Sequence, residues 1–451
     1  MNMKNRIIAM ITALILILMS GVLCARCSGE QESSTEQPEE TKAATADETA
    51  AATAPAATET PDEPTSPLEK AKTAAIDELS DRLAETQKYP GKSNVMLRSY
   101  DTDQKELANT AYTYDNALTA MAFLSEDRRS DAEELLDAFE YAVENDRFKS
   151  GRIRNAYAAD MIYWNEDGRK SVKLPGWYNG SEWCEDAQQV GSGTGNTSYA
   201  ALALLQYDKK YDTDRYLDTA KALMDWVISD CSDSSDGFTA GVNGWPEEYG
   251  KAQILTYKST EHNIDAYAAF RQLYEATGDE KYQKAADSAL SFIRSMYNEE
   301  GGYFYTGTGD DGVTPNTDVI VLDAQVWSAL AMGDEFKPYE RALGMVEQMK
   351  TEEGGYPFCR DNQNGGFWCE GTAFTALMYK LRADEDGFND AMDVLCDTQL
   401  DNGLFPAATV DNLSTGMYLP DGSSWEYRQD PHIAPAAWFV MAANGFNPYA
   451  F

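Results

Sequence analysis

Six short polar segments recur along the chain, and each carries a residue able to exchange a proton or hold a hydroxyl. They are Tyr112-Thr-Tyr-Asp-Asn116, Gly193-Thr-Gly-Asn-Thr197, Lys258-Ser-Thr-Glu-His-Asn-Ile-Asp265, Val321-Leu-Asp-Ala-Gln325, Gly366-Phe-Trp-Cys-Glu-Gly371 and Trp425-Glu-Tyr-Arg-Gln-Asp-Pro-His432. Asp115, Asn196, Glu261 with His262, Asp323, Glu370, and Asp430 with His432 fall at equivalent points of these segments. Acids gathered in one cleft repel each other, which raises at least one pKa and suits acid/base catalysis. The competing reading is helix capping, in which Asp115, Asn196 and Asp323 accept a bond from free backbone N–H groups. Glu261, between Thr260 and His262 at the edge of an apolar stretch, fits capping less well. His262 reads either as a site residue or as a buried structural imidazole. His432 follows Pro431, a residue type common at helix starts, and either donates to a substrate or caps. Asp265 lies one turn beyond Glu261 on the same helical face.

The elements that carry these segments read as helices of two kinds. Six are amphipathic and charged: 68–86, 131–145, 214–229, 280–297, 338–350 and 387–399. Their apolar residues return at helical spacing, as Tyr216, Leu217, Ala220, Leu223 and Met224 do. The other six are Ala-rich and apolar nearly all round: 115–124, 197–206, 262–277, 324–332, 371–381 and 433–443. A helix apolar on most faces must be buried. Six exposed helices alternating with six buried ones predict an all-α (α/α)6 barrel of two concentric rings, in preference to a solenoid or two bundles. Strand signals are sparse, with Gly302–Thr306 as part of one small hairpin. In a closed ring the six polar segments converge on one end.

The composition narrows the partner. The chain has 451 residues, 75 acids, 37 bases and a net charge of −38, with no basic block. Nucleic acid and anionic membranes need a positive surface and are disfavoured. Only two histidines are present, and the cysteines lack metal-ligand spacing, so neither a metal nor a cofactor is expected. Asp310, Asp311 and Asp318 lie in a Gly-rich loop that reads either as a Ca2+ site or as a solvated turn.

Residues 1–27 read as an export segment, with Lys4 and Arg6 before an apolar run from Ile7 to Met19. Cys24 or Cys27 is a candidate for lipidation. Residues 28–67 hold ten acids against Lys42, with no aromatic, and cannot offset their ordering entropy. They read as a disordered linker, which tethers 68–451 to a membrane or wall or is a cleaved spacer. Residues 68–451 then form the one folded unit, expected as an extracellular or cell-surface monomer. Export permits disulfides, and Cys359–Cys369 is the pair that spacing allows.

Trp164, Trp177, Trp183, Trp245, Trp368 and Trp425 lie outside the helical stripes, whereas Trp226, Trp327 and Trp438 read as core. Loop tryptophans among Asn, Asp and Glu suit sugar rings, and they equally suit packing of loops on a barrel rim. Together with Tyr-Asp-Asn-Ala at 114–117, Gly-Asn at 195–196, Ser-Thr-Glu-His-Asn at 259–263, Ala-Thr-Gly-Asp with Tyr282, and His-Ile-Ala-Pro-Ala-Ala-Trp at 432–438, this pattern resembles the six-hairpin glycosidase-like superfamily of bacterial carbohydrate-active barrels. The resemblance implies glycoside hydrolysis most often, with lyases, epimerases and phosphorylases also among its members. It carries over no residue roles.

The reading that follows is an exported glycoside hydrolase acting on an oligo- or polysaccharide with two carboxylates, of the inverting kind. Glu261 pairs with Asp115 or Glu370. His262, Asn196, Asp323, His432, Trp368, Trp425 and Trp177 bind substrate. The alternatives are a polysaccharide lyase, a sugar epimerase using two histidines, and a non-catalytic surface glycan-binding lipoprotein.

Overall fold

The computed structural model describes residues 66–87, 94–146, 151–166, 168–244, 253–362, 364–418 and 422–451. The export segment, nearly all of the linker and Trp245 lie outside the described residues.

Twelve α-helices run along the described chain in strict alternation. The outer set is α1 (Pro67–Gln87), α3 (Arg129–Asn145), α5 (Leu217–Asp230), α7 (Glu280–Ser295), α9 (Arg341–Met349) and α11 (Glu385–Thr398). The inner set is α2 (Thr113–Ser125), α4 (Thr194–Tyr211), α6 (Thr260–Thr277), α8 (Leu322–Ala331), α10 (Cys369–Leu381) and α12 (Ile433–Asn444). Burial explains the division. Every residue of α12 from Ile433 to Ala442 is buried, whereas α11 buries only Ala391, Met392 and Leu395. Alanine lets the inner helices approach closely: Ala117, Ala120 and Ala122 of α2, and Ala200, Ala201 and Ala203 of α4, are all inaccessible to solvent. Each inner helix packs on the next, and α12 packs back on α2.

Two repeated hydrogen-bond devices set the inner helix starts. The first N–H of each inner helix donates to a carbonyl in the segment leading into the next inner helix. Thr113 reaches Asn155 O, Thr194 reaches Ala240 O, and Thr260 reaches Thr306 O, at 2.9–3.0 Å. Leu322 reaches Phe358 O at 2.9 Å and Cys369 reaches Ala407 O at 3.1 Å. The sixth bond returns to the first repeat, from Ile433 to Ser99 O at 3.1 Å. A free N–H at a helix start is thus used to join neighbouring repeats.

The second device is a buried amide at the fourth position of an inner helix, which grips the backbone of the preceding segment. Asn116 Oδ1 accepts from Leu97 N (2.7 Å) while its Nδ2 donates to Leu97 O (3.1 Å) and Tyr112 O (2.8 Å). Asn263 does the same with Phe238 N (2.7 Å), Phe238 O (3.0 Å) and Ser259 O (2.8 Å). Gln325 does it with Phe304 N (2.8 Å), Phe304 O (2.9 Å) and Val321 O (3.0 Å). Thr372 makes a shorter version, accepting from Tyr356 N and donating to Trp368 O.

Among the described residues, fifteen short strands lie between the helices in small antiparallel sheets. Most have two or three residues, too few for an alternating pattern to register, so only the pairing of Tyr297–Asn298 with Tyr303–Phe304 overlaps the hairpin read from sequence. Proline 338 falls in a 3-10 turn (Gly333–Tyr339) rather than opening α9. The described cysteines are all free thiols, so Cys359 and Cys369 are not bridged. Cys359 Sγ instead points at Ser414 O, at 3.5 Å. Asp311 spends its carboxyl on its own turn, accepting from Val313 N and Thr314 N. No cluster of three metal-ligating side chains occurs among the described residues.

The amide device gives a stability prediction. Asn263→Leu leaves the Phe238 N–H and C=O buried and unpaired, so unfolding free energy should drop by about 2–4 kcal/mol. A chemical-denaturation midpoint unchanged from the wild type would show that the clamp contributes nothing.

Candidate active site

The inner helices all start at the same end, around a cleft of about 890 Å3. Its floor and walls take in Asp115, Glu261, Asp323 and Glu370, together with Asn196, His262 and His432. Trp177, Trp368 and Trp425 line it as well, so all ten residues singled out in the sequence meet in one cavity.

The acids are not caps. Asp115 is the third residue of α2, and Glu261, Asp323 and Glu370 are the second residues of α6, α8 and α10. The N-cap residues of α2, α8 and α10 make no side-chain cap bond. Only Asp323 touches its own helix start, accepting from Ala324 N at 2.5 Å. Asn196 donates to Asn155 Oδ1 at 2.9 Å, the oxygen that also takes Gly193 N–H. Placed inside the first turn, each carboxylate lies in the positive end of a helix dipole and projects into the cleft.

Their surroundings differ. Asp115 Oδ2 meets His432 Nε2 at 3.0 Å, and Tyr100 stacks on that imidazole with centroids 3.9 Å apart. This pair joins the last inner helix to the first. Glu370 Oε1 accepts a 2.5 Å bond from Tyr114 OH, and that oxygen in turn accepts from Trp438 Nε1 at 3.1 Å. Burial raises the Glu370 carboxyl to about 8, against a smaller lowering by Tyr114. Glu261 is partly exposed in the cleft and has no hydrogen-bond partner for its carboxyl among the described residues. Burial, then repulsion from Asp323, Asp265 and Glu370, hold it well above the usual carboxylate range. Asp323 is raised too, to about 7, by burial.

His262 is held low, to about 4, by burial, and is therefore neutral. Its ring lies against the first turn of α4: a Cβ on Gly195 would come within 2.5 Å of His262 Cδ2, so only glycine fits there. Asp265 Oδ1 accepts from Tyr449 OH at 3.1 Å, and Tyr449 also hydrogen-bonds Tyr199.

Trp425 and Trp177 keep part of their surface open to the cleft. Trp368 does not offer a face. It is buried, with Tyr427 stacked at 5.7 Å and Phe358 at 4.9 Å, because it caps α10 against the hairpin 413–427. Trp327, read as core, is buried yet reaches the cleft. Tyr114, Tyr199 and Tyr449 went unread as site residues. Tyr114 stands beside Asp115 in its segment, whereas nothing in local spacing points to Tyr449.

No protein-family model and no curated protein sequence matches the chain. Solved structures are similar in fold. An α-amylase from Clostridium perfringens has a TM-score of 0.59 at 12% identity, over 83% of this chain and 98% of that one. A D-mannose isomerase has 0.57 at 12% identity, over 85% and 99%. A cellobiose 2-epimerase from Bacillus thermoamylovorans has 0.55 at 12% identity, over 82% and 98%. At this identity the likeness shows the fold, a barrel of paired helices, and leaves the reaction to the site itself.

The raised carboxyls make stability depend on pH in a fixed direction. Glu370 titrates near 4.5 when unfolded and at about 8 when folded, so the folded state binds the extra proton between those values. Its stabilising effect is complete below the lower value and lost as pH rises through the upper one. The melting temperature should therefore fall from pH 5 to pH 9, and Glu370→Gln should fall less steeply. Parallel curves for the two proteins would contradict this placement of Glu370.

Proposed function

We propose that the protein is an exported glycoside hydrolase built on a closed (α/α)6 barrel, residues 68–451, and acting as a monomer on an oligo- or polysaccharide. The observation that carries the reading is that Glu370, raised to about 8 by burial, lines one aromatic-lined cleft with Glu261 and Asp323, both held above the usual carboxylate range. That the solved structures of similar fold include an α-amylase, a cellobiose 2-epimerase and a D-mannose isomerase supports a sugar as substrate. The apolar run and acidic linker ahead of residue 68 support export and a cell-surface location, with Cys24 or Cys27 as the lipid anchor.

In the mechanism proposed, Glu370 gives its proton to the leaving oxygen while Tyr114 holds Oε1. The carboxylate supplied by Glu261 and Asp323 takes a proton from water, whose oxygen attacks the anomeric carbon. Asp115 keeps His432 oriented, and both hold Tyr100 at the rim. The neutral His262 and the Asn196 amide offer hydrogen bonds to sugar hydroxyls, and Trp177 and Trp425 offer ring faces. With Nε2 taken by Asp115, His432 is poorly placed for the two-histidine proton exchange of an epimerase.

Glu261→Gln and Glu370→Gln should each lower kcat by about 10^3-fold or more while the fold stays intact by circular dichroism. The rate should follow a bell in pH, with its alkaline limb near 8 set by Glu370. Tyr114→Phe, which removes a bond favouring the Glu370 carboxylate, should move that limb upward. A folded Glu261→Gln protein with wild-type activity would overturn the assignment. An ultraviolet-absorbing unsaturated product would mean elimination, and glycan binding without any product a binding protein.

A further inference from the structure

The charges that line the cleft are strongly one-sided. Among the described residues lining it, ten are acids and two are bases, Lys258 and Arg428. Beyond Asp115, Glu261, Asp323 and Glu370, the acids include Asp186 and Asp310, both raised by burial. Glu426, on the hairpin that carries Trp425, and Asp430 just after it extend the negative lining.

Neither base has charge to spare. The Lys258 side chain is fully buried, and its ammonium donates to Asp233 Oδ1, Ser235 Oγ and Asp236 O, each at 2.8 Å. Three donors are thereby spent inside the protein. Arg428 lies between two carboxylates, with Asp103 at 3.6 Å and Asp430 at 3.9 Å. The imidazoles add no free cation: burial keeps His262 neutral, and His432 Nε2 is engaged with Asp115. Asn243 also lines the cleft, and its amide, on a residue 1% exposed, has neither polar atom paired. An amide meets a hydroxyl as donor or acceptor, but it neutralises no charge.

Resting on the hydrolase reading, we infer that the substrate is a glycan of neutral sugars, and that chains bearing uronate, sulfate or phosphate groups are turned away. An acidic group entering the cleft loses water without gaining a cation, a cost that tryptophan faces and amides do not offset. It also brings negative charge beside Glu261 and Asp323, which makes both harder to ionise and withdraws the base that activates water. A neutral ring presents hydroxyls that donate to carboxylates, so the acids that repel a uronate hold a neutral sugar. Elimination beside a uronate carboxyl requires that carboxylate to be neutralised, so the same charge balance speaks against the lyase alternative.

The test uses the full chain with matched hexasaccharide pairs: gluco- with glucurono-, manno- with mannurono-, and galacto- with galacturono-. Affinity is read by calorimetry and cleavage by chromatography of the products. At least one neutral member should bind, with its uronate counterpart about tenfold weaker or more. A uronate bound as tightly as its neutral counterpart, or no neutral member bound, overturns the inference. A neutral member bound in preference but left uncut supports the inference while counting against hydrolysis. A uronate bound tightly and cut overturns the inference and leaves hydrolysis intact. Glu426→Lys, which puts a cation on the cleft wall, should tighten uronate binding about threefold and change neutral binding less. No gain for the uronate in that variant would count against charge as the cause of its rejection and overturn the inference.

Discussion

The structure is organised around the cost of holding several carboxyls in one dry cavity. Glu370, Asp323, Asp115 and Asp265 are each at most 4% exposed, and Glu261 sits among them. Fully ionised, such a group would be driven apart by its own field. Two physical features make it tolerable. The positive ends of several parallel helices point into the cavity, and protonation removes charge where repulsion is greatest. The raised pKa values are therefore a consequence of the packing, and the same protons are what acid catalysis requires.

That arrangement works only if the helix starts stay in register. The ring of first N–H groups, each tied to the segment that leads into the next inner helix, fixes that register around the barrel. The amide clamps fix each segment on its own helix. Both devices act on backbone atoms, so they tolerate wide change in the side chains that face the cleft. This fits the very low identity between this chain and structures of similar fold: the positioning bonds do not depend on which side chains line the rim.

How legible this was in the sequence follows from the same physics. The two kinds of helix were readable because burial on all faces and burial on one face leave different patterns, and all twelve helices were found near their observed positions. The inner starts were placed two or three residues late, at Asp115, Thr197, His262, Ala324 and Gly371 instead of Thr113, Thr194, Thr260, Leu322 and Cys369. The error came from treating acids and small polar residues as boundary markers. They lie inside the first turn because they serve the cavity rather than the helix end. The convergence of the six polar segments on one cleft was deducible from alternation alone, whereas Trp177, outside those segments, was not. Partnerships such as Tyr114 with Glu370, or Tyr449 with Asp265, join residues 256 and 184 positions apart and leave no local trace.

The two ends of the inner ring divide the labour. At the starting end, buried carboxyls and a neutral imidazole accumulate, each destabilising when considered alone. At the far end, the helices finish over Tyr449 and its neighbours, where Gln206, Gln272 and Asn447 satisfy backbone carbonyls. Tyr449 crosses this division, since its hydroxyl meets both Tyr199 and Asp265, which face the cavity from below. Packing at the far end thereby sets the orientation of Asp265.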